Sequence, residues 1–145
     1  MSRRPRVCQV IVDLPPHAIH LLRHSRRDVY VPRKPAPPAG YGLTLLLHSL
    51  GGTYNQYSTS RNQSQYGERG EGSIVITPQA RGPDGFYFDH AAADVFEVWA
   101  DVARRYRLDP AWTAISGYSM GGYGTYKFAT QYPDLFAKGQ PTVGP

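Results

Sequence analysis

The sequence contains one cysteine, no long apolar run and no histidine after residue 90. Because Cys8 is alone, no disulfide can form within the chain, and the redox compartment cannot be read from it. No stretch reaches the 18 apolar residues of a membrane span, and the apolar run at 10–12 is too short for a signal peptide. The sequence therefore defaults to the cytoplasm, and an exported protein whose signal has been removed would look the same.

Positive charge is concentrated at the N-terminus. Residues 1–34 carry a net charge of +6, whereas residues 35–145 carry −1. We predict a basic segment over 1–28 and a single folded domain over 29–145. A basic arm can bind nucleic acid or an anionic surface, but no helix-turn-helix or RNP-like pattern accompanies this one. We therefore expect a solvated tail and neither a nucleic acid nor a membrane as partner.

Three histidines of this segment would share one face of a short helix that begins at Pro16, namely His17, His20 and His24. Such a face permits a metal site. No carboxylate accompanies these histidines at a useful spacing, so exposed surface histidines are the simpler interpretation. The sequence predicts no metal and no other cofactor.

Apolar runs predict buried parallel strands at 43–48, 73–77 and 112–116. Further strands are indicated at 27–32 and 136–143. Apolar residues at helical spacing predict an amphipathic helix that begins near Asp89 and ends before the "LDP" at 108–110, and a second helix over about 120–131. Strands that alternate with helices predict an α/β fold with a mostly parallel sheet.

A Gly-x-Ser-x-Gly pattern spans residues 117–121, directly after a predicted strand and before a predicted helix. In that setting a nucleophilic serine is held on a sharp turn. Gly117 and Gly121 would let strand and helix pack closely, and the helix N-terminus would direct N–H groups toward negative charge. Ser119 is therefore the candidate nucleophile. The alternative is a glycine-rich helix start that Ser119 only caps.

A second glycine-containing loop, "HSLGGTYNQY", follows the strand at 43–48. Serine-dependent ester cleavage needs two N–H donors for the oxyanion, one of them from the residue after the nucleophile, which is Met120. The other comes from the loop after the third strand, where Leu50 is the first choice and Ser49 the second. The alternative is a plain glycine turn.

Both motifs, with "YVP", "SIVITPQARGPDGFYFD" and "TAISGYSMGGYGTYKFATQYPDLFA", resemble the α/β-hydrolase serine esterases, in the branch of prolyl-oligopeptidase-like and polyester-degrading esterases. The resemblance covers about residues 29–143. It implies a three-layer αβα sandwich, Ser119 as nucleophile, and oxyanion donors at Met120 and Leu50. The ester would be a small molecule or a polymer.

In this family the acid and the histidine of the triad follow the nucleophile in the chain. Here Asp134 is the single acidic residue after Ser119, and no histidine follows. The chain is interpreted as the N-terminal half of a hydrolase domain, a truncated α/β-hydrolase fold. His48 and His90 are candidate replacement bases, since both are expected at the C-terminal edge of the sheet. The simpler roles are that His48 braces its loop and that His90 is exposed in a helix.

Four tyrosines flank the expected site and would suit an aromatic or polymeric ester, namely Tyr54, Tyr57, Tyr87 and Tyr118. The sequence thus predicts a serine ester hydrolase, complete or residual in activity. The alternative is a non-catalytic half-hydrolase or binding module. Because the strand near 137–143 would lack a partner on its far side, we also expect a homodimer or higher homo-oligomer.

Overall fold

A computed structural model describes residues 26–144, which form a five-stranded sheet and three α-helices. The strands are β1 (Arg27–Tyr30), β2 (Tyr41–Leu47), β3 (Ser73–Pro78), β4 (Leu108–Tyr118) and β5 (Lys138–Thr142). The helices are α1 (Ser60–Gly67), α2 (Asp89–Arg105) and α3 (Met120–Gln131), and a 3₁₀ turn follows at Pro133–Leu135. The predicted histidine face at 17–24 lies outside the described residues, and the domain boundary at 28/29 stays a prediction. None of the described helices has the length and apolar character needed to cross a membrane.

The strand order in the sheet is β1-β3-β2-β4-β5. β1 runs antiparallel to β3, and the other three pairings are parallel. Every residue of β2 and β3 is buried, which explains why these strands appear in the sequence as unbroken apolar runs. The α/β fold with a mostly parallel sheet is confirmed.

The two faces of the sheet are covered by different helices. Alternate residues of β2 and β3, beginning with Tyr41 and Ile74, join a core cluster with α2 and with Phe128 of α3. On the opposite face the Thr44 and Ser73 hydroxyls lie 2.9 Å apart, and Tyr66 of α1 lines a small cavity together with Thr44. The molecule therefore has the three layers that the resemblance implied.

The α1 face is open beside β4 and β5. A cavity of about 410 Å³ lies there, lined by Arg69, Gly70, Ala111, Trp112, Thr113, Ala114, Ala137 and Lys138. Trp112 is 48% exposed. Among the described strands, β5 pairs with β4 alone, so the other edge of β5 carries no strand in this part of the chain.

Two features depart from the sequence-based expectation. β4 begins at Leu108, so the "LDP" segment opens a strand where a break was expected. The register shifts between the pairs Tyr41–Leu108 and Leu43–Thr113, and Pro110 lies in this irregular stretch, where a proline is tolerated. Helix α1 was not predicted, because "SRNQSQYG" is polar and has no apolar periodicity. Its start is fixed locally, since the Thr59 hydroxyl accepts a hydrogen bond from the Asn62 N–H at 3.3 Å.

Candidate active site

Ser119 lies at the junction between β4 and α3, at the C-terminal edge of the sheet. Its φ of 56° and ψ of −116° are backbone angles that L-residues with side chains rarely adopt. Two main-chain hydrogen bonds fix this geometry: the Ser119 N–H donates to Thr142 O and the Tyr123 N–H donates to Ser119 O, both at 3.0 Å. The turn thus depends on β5 as well as on the two elements that it joins.

The glycines of the motif are needed because the helix starts directly against a strand. A Cβ atom at Gly121 would overlap the carbonyl oxygen of Leu47, the last residue of β2. A Cβ atom at Gly117 would meet the carbonyl oxygen of Gly121. Glycine at both positions therefore lets α3 approach β2 and β4 without steric conflict.

The Ser119 side chain does not cap α3. Although Ser119 stands at the N-cap position, its hydroxyl makes no capping hydrogen bond. Within residues 26–144 the hydroxyl oxygen has no hydrogen-bond partner at all. The alternative in which Ser119 serves only to start the helix is therefore not supported, and the hydroxyl is left available for other chemistry.

The loop after β2 (residues 48–59, the β2 loop) carries the two N–H groups, of Ser49 and Leu50, that the sequence offered as oxyanion donors. The Ser49 N–H donates to the Gln56 Oε1 atom at 2.8 Å, the Gly51 N–H donates to Pro83 O at 2.9 Å, and the Gly52 N–H donates to Ser49 O at 2.8 Å. Among the described residues no acceptor faces the Leu50 N–H. Of the two donors proposed from sequence, Ser49 is thus occupied and Leu50 is free.

Met120 supplies the second free N–H. It is the first residue of α3, and the first N–H groups of a helix have no partner inside the helix. The residue as a whole is 2% exposed, and its side chain belongs to the core cluster. The helix dipole adds a partial positive charge at the same place.

His48 is fully buried and does not reach Ser119. Its Nδ1 atom lies 3.0 Å from Ser49 O, and its Nε2 atom lies 2.9 Å from Gln79 O. Both carbonyl oxygens are acceptors only, so neither ring nitrogen is open to receive the Ser119 proton in this arrangement. The prediction of His48 as a base is therefore not supported, and the imidazole braces the β2 loop against the loop after β3.

His90 is exposed in the first turn of α2, and no hydrogen bond joins either described imidazole to the Ser119 hydroxyl. Asp134 lies in the 3₁₀ turn beyond the far end of α3, away from the Ser119 turn. The described residues thus contain no hydrogen-bonded chain that runs from an acid through a histidine to the Ser119 hydroxyl. They also contain no cluster of three or more His, Cys, Asp or Glu side chains that would bind a metal ion.

The four tyrosines expected at the site divide into two groups. Tyr118 is 49% exposed, and Tyr54 is partly exposed. Tyr87 is fully buried, and its hydroxyl donates to His48 O at 2.8 Å, so the expectation that it contacts substrate is not supported. The Tyr57 hydroxyl is also engaged, since it donates to Leu47 O at 3.1 Å. The Tyr57 and Tyr87 hydroxyls therefore both hold main-chain carbonyl groups.

An ion network with a partly exposed guanidinium and two buried carboxylates, which the sequence did not reveal, holds the loop after β3 (residues 79–88, the β3 loop). The Arg81 guanidinium lies 3.2 Å from the Asp94 carboxylate and 2.6 Å from the Glu97 carboxylate, both on α2 and both buried. Asp94 also accepts the Ala80 N–H at 2.8 Å. Burial raises the pKa of the Glu97 carboxyl above its ordinary value, and the Arg81 charge opposes that rise.

The family model described as the prolyl oligopeptidase family matches residues 69–145, which is more than half of the chain. Curated proteins gave no match. The matched segment contains the β3 loop, α2 and the Ser119 turn.

Several solved structures share the fold. The S-formylglutathione hydrolase FrmB of Staphylococcus aureus is 25% identical, with a TM-score of 0.63 over 83% of this chain and 52% of its own. The fluorophosphonate-binding serine hydrolase FphF of Staphylococcus aureus is 25% identical, with a TM-score of 0.66 over 81% of this chain and 50% of its own. A thermostable esterase is 25% identical, with a TM-score of 0.62 over 83% of this chain and 37% of its own.

The chain spans about half the length, or less, of these solved relatives. From the family match and the shared architecture, the chain belongs to the prolyl oligopeptidase family and has the α/β-hydrolase fold of serine hydrolases and esterases.

Proposed function

We propose that this chain is a serine hydrolase of carboxylic esters, with Ser119 as nucleophile and the Met120 and Leu50 N–H groups as oxyanion donors. The observation that carries the proposal is the Ser119 backbone, which keeps a non-glycine residue at φ 56° and leaves its hydroxyl without a capping role. Such a conformation costs about 1–3 kcal/mol and tends to be retained where it serves function.

In the proposed acylation step, the Ser119 hydroxyl oxygen attacks the ester carbonyl carbon and its proton passes to a base. The carbonyl oxygen becomes an oxyanion, which accepts hydrogen bonds from Met120 and Leu50. When the ester C–O bond breaks, the alcohol leaves with the proton. Water then attacks the acyl-serine in the same way, which releases the carboxylic acid and restores the hydroxyl.

His90 is the described imidazole that we propose as base, because its ring is exposed whereas both nitrogens of His48 face carbonyl oxygens. If no base acts, oxyanion stabilisation and binding alone would still support a rate about 10³–10⁴ times that in water. Activated esters would then be cleaved slowly, and ordinary esters hardly at all.

The proposed substrate is an aromatic or polymeric ester. Leu50, whose N–H is a proposed oxyanion donor, is 57% exposed. Tyr118, which directly precedes Ser119, is 49% exposed. Exposed apolar side chains beside a nucleophile offer contact area to an aromatic acyl or alcohol group. A p-nitrophenyl benzoate should therefore be cleaved with a lower KM than a p-nitrophenyl acetate.

The test is labelling with a fluorophosphonate, followed by mapping of the adduct by mass spectrometry. We expect a single adduct on Ser119 and p-nitrophenyl ester cleavage that is lost in Ser119→Ala. Ser64→Ala, which alters an exposed serine of α1, should label and react like the parent. Labelling at another residue, or equal labelling of Ser119→Ala, would contradict the proposal.

The alternative is a non-catalytic module on a hydrolase scaffold. One observation favours it, namely that no described imidazole is hydrogen-bonded to Ser119. The two functions differ in a single experiment: a rate that is unchanged in Ser119→Ala supports the module, and a rate that depends on Ser119 supports the hydrolase.

A further inference from the structure

Both main-chain polar groups of Tyr118, the residue before the proposed nucleophile, are hydrogen-bonded to side chains of the β2 loop. The Tyr118 N–H donates to the Tyr57 hydroxyl at 3.3 Å, and the Ser49 hydroxyl donates to Tyr118 O at 3.2 Å. The two bonds reach across 61 and 69 residues of sequence. The loop that carries Leu50 is thus joined to the strand that carries Ser119.

Tyr57 bridges the two strands at the point where their pairing ends. The register of β2 and β4 stops at Leu47 and Gly117. Beyond it, the Tyr57 hydroxyl donates to Leu47 O at 3.1 Å and accepts from the Tyr118 N–H. A single phenol oxygen therefore connects a carbonyl of one strand to an amide of the other, where direct strand-to-strand bonding has stopped.

The hydrogen bond between the Ser49 hydroxyl and Tyr118 O has a defined direction, because Gln56 fixes it. The Gln56 Nε2 atom donates to the Ser49 Oγ atom at 2.9 Å, while Gln56 Oε1 accepts the Ser49 N–H at 2.8 Å. Because Ser49 Oγ accepts from an amide, its own proton is directed to Tyr118 O. One carboxamide thus orients the Ser49 hydroxyl and occupies the Ser49 N–H, whereas no described acceptor faces the adjacent Leu50 N–H.

We infer that Tyr57, Gln56 and Ser49 are positioning residues that hold the Leu50 N–H in register with the Ser119 hydroxyl. None of the three contacts substrate in this assignment; they act through Tyr118 and Leu50. The inference rests on the proposed function of Ser119. It adds that the distance between nucleophile and oxyanion donor is set by side chains of one loop, because the main-chain pairing of β2 and β4 stops short of both groups.

The protonation of Tyr57 is consistent with this role. Burial raises the pKa of the phenol to about 12, and the hydrogen bond from the Tyr118 main chain works against the rise. The hydroxyl therefore keeps its proton near neutral pH and can donate to Leu47 O while it accepts from Tyr118.

Tyr57→Phe tests the inference, since it removes the bridging oxygen and keeps the ring. Tyr126→Phe on α3 is the matched control, because Tyr126 is 57% exposed. By amide hydrogen exchange, we expect the Tyr118 N–H to exchange about tenfold faster in Tyr57→Phe, with no change for Leu45 in the middle of β2. In ester cleavage we expect kcat to fall about tenfold at nearly constant KM.

Ser49→Ala is the second variant and removes the other bond to Tyr118. It should lower the rate of fluorophosphonate labelling of Ser119 by a similar factor, with a melting temperature close to that of the parent. If Tyr57→Phe fails to fold, Ser49→Ala decides the question by the labelling measurement, and an unchanged rate of Ser119 labelling then overturns the inference.

The failure of this inference is distinguishable from the failure of the proposed function. Absence of any Ser119 labelling in the parent protein contradicts the hydrolase, whereas the exchange of the Tyr118 amide can still be measured. Exchange in Tyr57→Phe equal to that in Tyr126→Phe overturns the positioning role. Faster exchange with an unchanged labelling rate also overturns it, because the contacts would then have no effect on the reacting groups.

Discussion

The Ser49 N–H donates to the Gln56 carboxamide at 2.8 Å, whereas no acceptor among the described residues faces the N–H of the neighbouring Leu50. The sequence made Leu50 the first choice and Ser49 the second choice as oxyanion donor, and this hydrogen bond separates the two candidates. The difference can be tested at the main chain, because proline lacks an N–H group.

Leu50→Pro should lower ester cleavage by about 10²–10³-fold, which is the usual effect of removing one oxyanion donor. Leu50→Ala keeps the N–H and should lose activity only through weaker substrate binding, with a change mainly in KM. Steady-state kinetics on a p-nitrophenyl ester provide the comparison. Equal kcat in the two variants would show that Leu50 donates nothing to the reaction.

Gly121→Ala should destabilise the protein by about 1–3 kcal/mol or more, because its Cβ atom would overlap Leu47 O and force α3 away from β2. Gly139→Ala is the control, since a Cβ atom there meets its neighbours at ordinary distances of 3.6 Å and above. Urea denaturation followed by circular dichroism measures both. Equal midpoints for the two variants would mean that the helix can move without cost.

Arg81→Met should destabilise the protein by about 3–5 kcal/mol at neutral pH, because the buried Asp94 and Glu97 carboxylates would lose a cationic partner. Arg105→Met breaks an exposed pair with Asp101 and should cost less than about 1 kcal/mol. Thermal unfolding of the three proteins at pH 7 gives the comparison.

The pH dependence of Arg81→Met has a defined sign. Burial already raises the pKa of Glu97, and without Arg81 that pKa should rise further. A raised carboxyl pKa favours the folded state at low pH and disfavours it as pH rises through the folded value. The difference in free energy of unfolding between the parent and Arg81→Met should therefore shrink as the pH falls from 7 toward 4.5. If this difference stays constant over the range, the Glu97 carboxyl is not the cause of the lost stability.

The protein should lose stability above about pH 10. Burial raises the pKa of Tyr57 to about 12 and also raises the pKa of Tyr87. A tyrosine in the unfolded chain ionises near pH 10. Between about pH 10 and its folded-state pKa, each buried phenol therefore lowers the free energy of unfolding by up to about 1.4 kcal/mol per pH unit. Tyr57→Phe should make the melting temperature fall less steeply with pH than in the parent, and equal slopes in the two proteins would contradict this prediction.

We expect the purified protein to form a homodimer or a higher homo-oligomer. In the described part of the chain, β5 has one free edge and its residues are mostly exposed, and such an edge tends to pair with another strand. Light scattering over a range of concentrations measures the mass. A value near the 16.1 kDa of one chain at high concentration would contradict this expectation.

Local pattern was sufficient to predict the strands at 43–48 and 73–77 and the helix over about 120–131, because buried parallel strands and amphipathic helices leave regular apolar spacing. The Ser119 turn followed from the same logic, since the glycines stand where strand and helix meet. Helix α1 has no such spacing, and its polar sequence gave no signal of its position on the sheet.

The contacts between loops could not be predicted from the sequence. The bridge made by Tyr57 depends on where the pairing of β2 and β4 stops, and Arg81 meets Asp94 and Glu97 only because the β3 loop folds back over α2. The burial of Tyr87 is of the same kind. Such contacts join residues that are far apart in the sequence, and the spacing of neighbouring residues does not predict them.

The two tryptophans of the chain lie in opposite environments. Trp99 is 1% exposed inside the core, whereas Trp112 is 48% exposed on the open cavity beside Arg69 and Lys138. Iodide, an anionic quencher, should accumulate near those two cations and quench the red-shifted emission of Trp112, and it should leave the emission of Trp99 unchanged. Any chain or molecule that covers the open face would shield Trp112, so the fluorescence of one residue reports whether that face is covered in solution.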